Sequence, residues 1–333
     1  MNTNAYLEID ISEDSLLPER IQAQAQPILT HLSFGQVDTA SSDYLSIQTN
    51  INVLSANVFA QYWFTDQQVK LDQFKNVHYA HNDQMMFGHL QIKCSENDDF
   101  QQLSYQAYSE IYACLKQVSC KHLLRTWNYF PQITKPGTQL NPANRYELFC
   151  SGRRSAVQEC GIEHKIYPAA TVIGNQEDCL QIYFLASDVP GIAVENPRQT
   201  SAYEYPVDDQ QTQPLFSRGL LKVWGTRTHF YVSGTASIVG HETLHENDVC
   251  AQLNEAINNV ETLVAHANDQ HHTQLNAQDD LLYMKIYLCN KKDTAQIEQV
   301  LAARLSNNTP RILLHGHMCR DDLLVEIEAF YQA

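Results

Sequence analysis

The sequence predicts an α+β protein made of two tandem units of like order, and three observations lead there. Apolar residues at helical spacing alternate with short β-type runs along the chain. The same succession of segments occurs twice. A stretch rich in Pro, Asp and Gln, residues 187–219, separates the two occurrences. With 333 residues and 44% hydrophobic content, the chain can bury a sizeable core.

Residues 1–50 lack strong periodicity and stand as an unassigned N-terminal segment. The first unit is assigned to 51–190. In it, 98–118 (DDFQQLSYQAYSEIYACLKQV) carries apolar positions at helical spacing, and 122–133 (HLLRTWNYFPQI) has strand character. A helix near 144–160 and strands at 169–174 and 179–186 (CLQIYFLA) complete it. A connection at 191–219 follows, and its length marks it as functional; it carries Arg198, Tyr203, Tyr205 and Arg218. The second unit, 220–333, repeats the order: an amphipathic helix at 248–267, a β-type run at 281–288 (LLYMKIYL), a helix at 294–305, and strands at 311–316 and 323–331 (LLVEIEAFY). Aligning the halves by their last strands puts Gln181 opposite Glu326, so only the second copy retains a carboxylate and one active site is expected.

Composition narrows the function. A formal net charge of −16, from 38 acidic and 22 basic side chains, argues against nucleic acid or an anionic membrane as a partner. There is no run of eighteen apolar residues, and the N-terminus has no basic and apolar leader, so a cytoplasmic location is expected. The nine cysteines are scattered without a CxxC pair and read as reduced thiols. Seven of the eleven arginines fall between Arg125 and Arg227, a concentration that suits either a small-anion site or surface ion pairs.

The segment 241–245 spells HExxH, which in a helix would place two zinc ligands one turn apart. Here it lies between a strand-like run ending at Gly240 and a helix start near Asn247, so a metal site is not expected, although His241 and Glu242 could stand at a cleft mouth. His315 and His317 share one strand face and read as a solvated or hydrogen-bonded pair. In RYELFCSGR, Tyr146 and Arg153 are two helical turns apart, placed either to hold a carboxylate together or to lie on a plain helix surface. Glu326 on the final strand is either an edge charge or, in an apolar cleft, a carboxyl able to donate a proton near neutral pH. In the second case Cys319, seven residues earlier across a turn, would point into the same cleft.

The terminal Val325-Glu326-Ile327-Glu328-Ala329 is similar to the last strand of the YjgF/RidA family, whose members form trimers with clefts between subunits. RTWNYFPQI, RYELFCSGR, PAATVIG, ENPRQTSAYEYP, FSRG, FYVSGTASIVGHETLH and VEIEA, in order over about 120–333, resemble the chorismatase family, whose members look like fused YjgF-type units. The resemblance implies two tandem YjgF/RidA-like (chorismate-mutase-like) units with the active site in the cleft between them. It implies Glu326 as the catalytic acid, with Cys319 beside it, and Tyr146, Arg153, Tyr205, Arg218 and Ala236 as substrate-binding positions. The implied reaction cleaves the enolpyruvyl ether of chorismate, a small-molecule substrate, without metal or other cofactor. Cys319 resembles the branch that forms 3-hydroxybenzoate, alone or with 4-hydroxybenzoate; Ala236 resembles the hydrolytic branch, which forms a dihydroxy-cyclohexadiene acid. The expected products are 3-hydroxybenzoate, alone or with 4-hydroxybenzoate, and pyruvate, and the expected state is a monomer. A RidA-type enamine or imine deaminase, a zinc hydrolase and a non-catalytic binder are the competing readings.

Overall fold

The computed structural model describes residues 6–12, 26–35, 43–55, 59–137, 142–161, 167–206, 213–306 and 309–333. The chain opens with β1 (Leu7–Ser12), β2 (Ile28–Phe34), β3 (Leu45–Gln48), the two-residue β4 (Asn52–Val53) and β5 (Phe59–Thr65). Strands β1, β5, β2 and β3 form a four-stranded sheet in that order. The described part of the segment left unassigned in the sequence therefore contributes β1, β2 and β3 to a sheet, and β5, from beyond residue 50, joins them. Its strands escape a period-2 reading because β5 is buried on both faces and β2 nearly so.

Next come β6 (Lys70–Phe74), β7 (Val77–His81), β8 (Met85–Lys93), helix α1 (Phe100–Val118), β9 (His122–Pro131), helix α2 (Arg145–Glu159), β10 (Ala169–Asn175) and β11 (Cys179–Ser187). They make a six-stranded sheet of order β10-β9-β11-β8-β7-β6. Both helices start where a short polar side chain can take an orphan amide: Asp99 accepts from Gln102 N, and Asn144 forms a reciprocal capping box with Glu147. The helices cross closely at Gly152, where a Cβ would lie 2.1 Å from the carbonyl oxygen of Gln101.

The remaining strands are β12 (Ile192–Val194), β13 (Gly219–Trp224), β14 (Arg227–Val232), β15 (Thr235–Ala236), β16 (Ile238–Val239) and β17 (Glu242–Thr243). Helix α3 (Val249–His271), β18 (Leu281–Leu288), helix α4 (Thr294–Arg304), β19 (Arg311–His315) and β20 (Val325–Gln332) end the chain. The second large sheet runs β12-β13-β14-β20-β18-β19-β4, with β15 pairing β20. The sequence reading holds for the repeated helices and strands to within a few residues; the connection 191–219 also carries β12, which pairs with β13.

The two units match in register as well as in order. Gln181 pairs with Tyr129 in the first, and Glu326 with Tyr287 in the second; the two tyrosine hydroxyls lie 2.9 Å apart between the sheets. Val325, Ile327 and Ala329 pack under α3, while Glu326 and Glu328 take the opposite face, toward the first unit. Each buried aliphatic or aromatic side chain removed from water contributes about 1.5–3 kcal/mol, so the sandwich of helix, sheet, sheet and helix is held chiefly by these layers.

Candidate active site

The two units meet along β10 of the first and residues 217–236 of the second. Ser217 bridges to Ala169, Gly234 N donates to Ala170 O at 3.0 Å, and Ala170 N donates to Ser233 Oγ at 2.8 Å. Above this seam lies a cavity of about 270 Å³, walled by Ala170 and Val172 from the first unit, Tyr146 from α2, Phe216 and Arg218 from the connection, and Ala236 from β15. Cys319, Arg320 and Glu326 close it from the last unit.

Glu326 is 6% exposed. Burial, then the nearby negative charge of Glu328, push its carboxyl up to about 8, against the opposing pull of Arg125 and Arg218. It is therefore a protonated acid at neutral pH. Its burial excludes the reading of Glu326 as an exposed edge charge. The Cys319 thiol, raised to about 12 by burial and then by Glu326, and the Tyr146 phenol, raised by burial, both keep their protons and face the cavity as neutral donors.

Arg218 donates from Nη2 to Thr200 O at 2.8 Å and to Tyr205 Oη at 2.6 Å, while its buried Nε has no partner. Beside it, burial raises the Glu195 carboxyl to about 7. Arg320 lies over the Tyr205 ring at 5.8 Å and donates to His241 O at 2.9 Å, tying the turn before β20 to the hairpin of β16 and β17. Two guanidinium groups thus share a pocket with one protonated carboxyl, which suits a substrate carrying two anionic groups and an acid-labile bond.

Tyr146, Tyr205, Arg218, Ala236, Cys319 and Glu326 come together as the sequence expects, since all six line the cavity. Arg153 is not among the residues of that wall. It is buried over the Tyr108 ring at 4.8 Å, with an unpartnered Nε, near Tyr112, Cys150 and Tyr146. Of the arginine concentration, Arg125 and Arg145 serve internal contacts, and Arg198 pairs with Glu255. Only Arg218 from that stretch reaches the cavity; the second guanidinium, Arg320, lies outside it.

Two further site residues were missed. Arg320 sits in a turn with no motif to mark it. Gly234 carries no chemistry, yet a Cβ there would meet Glu326 Oε1 at 2.0 Å, so the glycine makes room for the carboxyl. Gly234→Ala is expected to displace Glu326 and cut turnover at least tenfold with the fold retained; wild-type activity in a steady-state assay would show that the carboxyl tolerates the methyl group.

The HExxH segment is not helical: Glu242–Thr243 is strand and His245 has φ 59°. The two histidines are thus not presented one helical turn apart, as the zinc reading requires. His315 Nε2 lies 3.1 Å from Cys289 O, and its ring lies 5.7 Å from that of His317.

Residues 61–186 match the family model for the chorismatase FkbO/Hyg5-like N-terminal domain. A 3-hydroxybenzoate synthase of Streptomyces hygroscopicus is 28% identical over 90% of this chain and 89% of its own length. A chorismatase from the same organism is 30% identical over 81% of this chain and 78% of its own. A chorismatase crystal structure superposes with a TM-score of 0.87, at 24% identity, over 98% of both chains, a likeness of fold.

Proposed function

Because the chain belongs to the chorismatase family, we propose that it cleaves the enolpyruvyl ether of chorismate, releasing pyruvate and 3-hydroxybenzoate. The observation that carries this reading is Glu326, a buried carboxyl that still holds its proton near neutrality, in a pocket with two arginines.

The chemistry follows from the substrate. Chorismate has two carboxylates, which Arg218 with Tyr205 and Arg320 can receive by charge-assisted hydrogen bonds. Tyr146 adds a neutral hydroxyl donor, and Arg153 acts from behind the wall on Tyr146 and Cys150. Glu326 gives its proton to the terminal carbon of the enol ether, forming an oxocarbenium ion, and the carboxylate left behind stabilises that cation electrostatically. Capture of the ion by the neighbouring ring hydroxyl, loss of pyruvate and aromatisation convert chorismate into one hydroxybenzoate and one pyruvate, with no water consumed and no net redox change. Capture by water instead consumes one water and gives the diene acid.

Supporting the aromatic branch are Cys319 at the cavity wall and a relative named for 3-hydroxybenzoate synthesis. The hydrolytic branch is the second reading, favoured by the small Ala236, which pairs with Glu326 across the ladder and leaves room for a water. A deaminase would use the same Glu326 but leave Arg218 and Tyr205 without a second anion to bind. The cavity is complete within one chain, so a monomer needs no second copy to form the site. No described helix is long and apolar enough to cross a membrane.

Purified protein incubated with chorismate, with no added metal or cofactor, is expected to release pyruvate and 3-hydroxybenzoate, read by coupled assay and chromatography. A non-aromatic diene acid with pyruvate would move the protein to the hydrolytic branch; absence of pyruvate would overturn the reading.

A further inference from the structure

We propose that Glu328, held as an anion by Arg125 and Lys285, is the positioning residue that keeps Glu326 in its proton-donating form. Its fixed negative charge, on the same strand face, makes a second negative charge there costly. The inference rests on the assignment of Glu326 as the acid.

Glu328 is 2% exposed and carries five contacts. Its Oε1 lies 2.7 Å from Lys285 Nζ and accepts from Trp127 Nε1 at 3.0 Å; its Oε2 accepts from Arg125 Nη2 at 2.9 Å, Thr171 Oγ1 at 2.7 Å and Tyr287 Oη at 3.1 Å. A carboxylate so saturated with donors stays ionised through the range in which the protein works, and the two cations and three donors hold its carboxyl below the ordinary carboxylate range despite burial. Lys285 is itself fully buried, its ammonium 4.7 Å from the Phe34 ring centroid and 5.3 Å from that of Trp127. The cluster therefore cannot be re-solvated, and its charges are set by one another.

Glu326 is the next residue but one on that face, roughly 6–7 Å along the strand. Tyr287, which donates to Glu328, is the cross-strand partner of Glu326. Thr171, another donor to Glu328, lies 3.5 Å from the Cβ position of Gly234, against which Glu326 rests. The charged and titratable groups around Glu326 are Glu328, Arg125, Arg218, Tyr287, Cys319 and Cys289, with Tyr146, Glu147, Tyr205 and Arg320 on the same cavity. Of the acidic groups, Glu328 is the one that acts on the Glu326 carboxyl, whereas Glu147 is engaged in the capping box at the start of α2. The arrangement is a pair of carboxyls one step apart whose surroundings drive them to opposite protonation states, one a structural anion and the other an acid.

The test is the pH dependence of kcat/KM for pyruvate release by wild type, Glu328→Gln and Arg125→Gln. Activity needs protonated Glu326, so the wild-type profile falls above about pH 8. Removing the anion in Glu328→Gln is expected to move that limb down by roughly one to two pH units, and removing the cation in Arg125→Gln to move it up. A purely structural role would lower the whole profile and leave the limb in place; that result overturns the proposal. Should the single variants misfold, Glu328→Gln combined with Lys285→Met removes anion and cation together, and the limb is still expected to move down, though by less than in Glu328→Gln, because Glu328 and not Lys285 acts on the Glu326 carboxyl. In parallel, the Glu326 carboxyl is titrated by ¹³C NMR in the same proteins, identified by its loss in Glu326→Gln. Wild type that makes no pyruvate overturns the proposed function, whereas a carboxyl whose titration is unmoved by Glu328→Gln overturns this inference alone.

Discussion

Glu326→Gln is expected to lower turnover of chorismate by roughly two to four orders of magnitude while substrate still binds. The amide keeps the shape of the side chain in the space left by Gly234, so what is lost is the proton. The same substitution has a second, opposite effect. Glu326 holds its proton more tightly folded than unfolded, so its contribution to stability is complete below the unfolded carboxyl range, about pH 4. That contribution is lost as pH rises through about 8. Glutamine does not titrate. The variant should therefore gain on wild type with rising pH across that window, by up to about 1 kcal/mol per pH unit. Thermal melts at pH 5 and pH 9 check this: equal melting differences at both values would mean that Glu326 is ionised in the folded protein, and substantial residual turnover would remove it as the acid.

Arg218→Ala is expected to weaken substrate binding by roughly 2–5 kcal/mol, which raises KM about thirtyfold or more. The guanidinium already spends one nitrogen on Thr200 O and Tyr205 Oη and leaves Nε unpartnered within the protein, so truncation removes the anion's partner and frees the Tyr205 ring together. Lysine at 218 should recover little, because an ammonium cannot reproduce the fork. Arg153→Ala provides the contrast. Its guanidinium is packed on Tyr108 behind the wall, so the larger effect should fall on stability. An equal rise in KM for both variants would show that Arg153 reaches the substrate.

Much of this was legible in the sequence, for reasons that can be named. The repeated helices are amphipathic because each covers one face of a sheet, so α1 and α3 announced themselves at helical spacing, and the strands that follow them were found with them. Tyr146, Tyr205, Arg218 and Glu326 stood out because phenols, guanidinium and carboxyl are residues with chemistry, and they lie in blocks that resemble one family; Cys319, outside those blocks, stood out by its place across a turn from Glu326. What escaped lacked either signal. Strands β2 and β5 are packed between layers and show no alternation. Gly234 acts by the absence of a side chain, and Arg320 works from a turn where no period applies. Glu328 was visible as a letter beside Glu326, but its opposite ionisation depends on Arg125 and Trp127, two hundred residues earlier in the chain. The HExxH segment lies outside any helix, as its flanking glycine and strand-like run suggested.

The position in the first unit that matches Glu326 has a different fate. Gln181 is fully buried; its amide donates to Gln48 O at 2.9 Å and accepts from Asn50 N at 2.8 Å, so a segment of the chain's own N-terminal part lies where a ligand would have to enter. Of the two matching positions, the first is thus a lock for the chain's own backbone, and the second opens on the cavity with its carboxyl free to act.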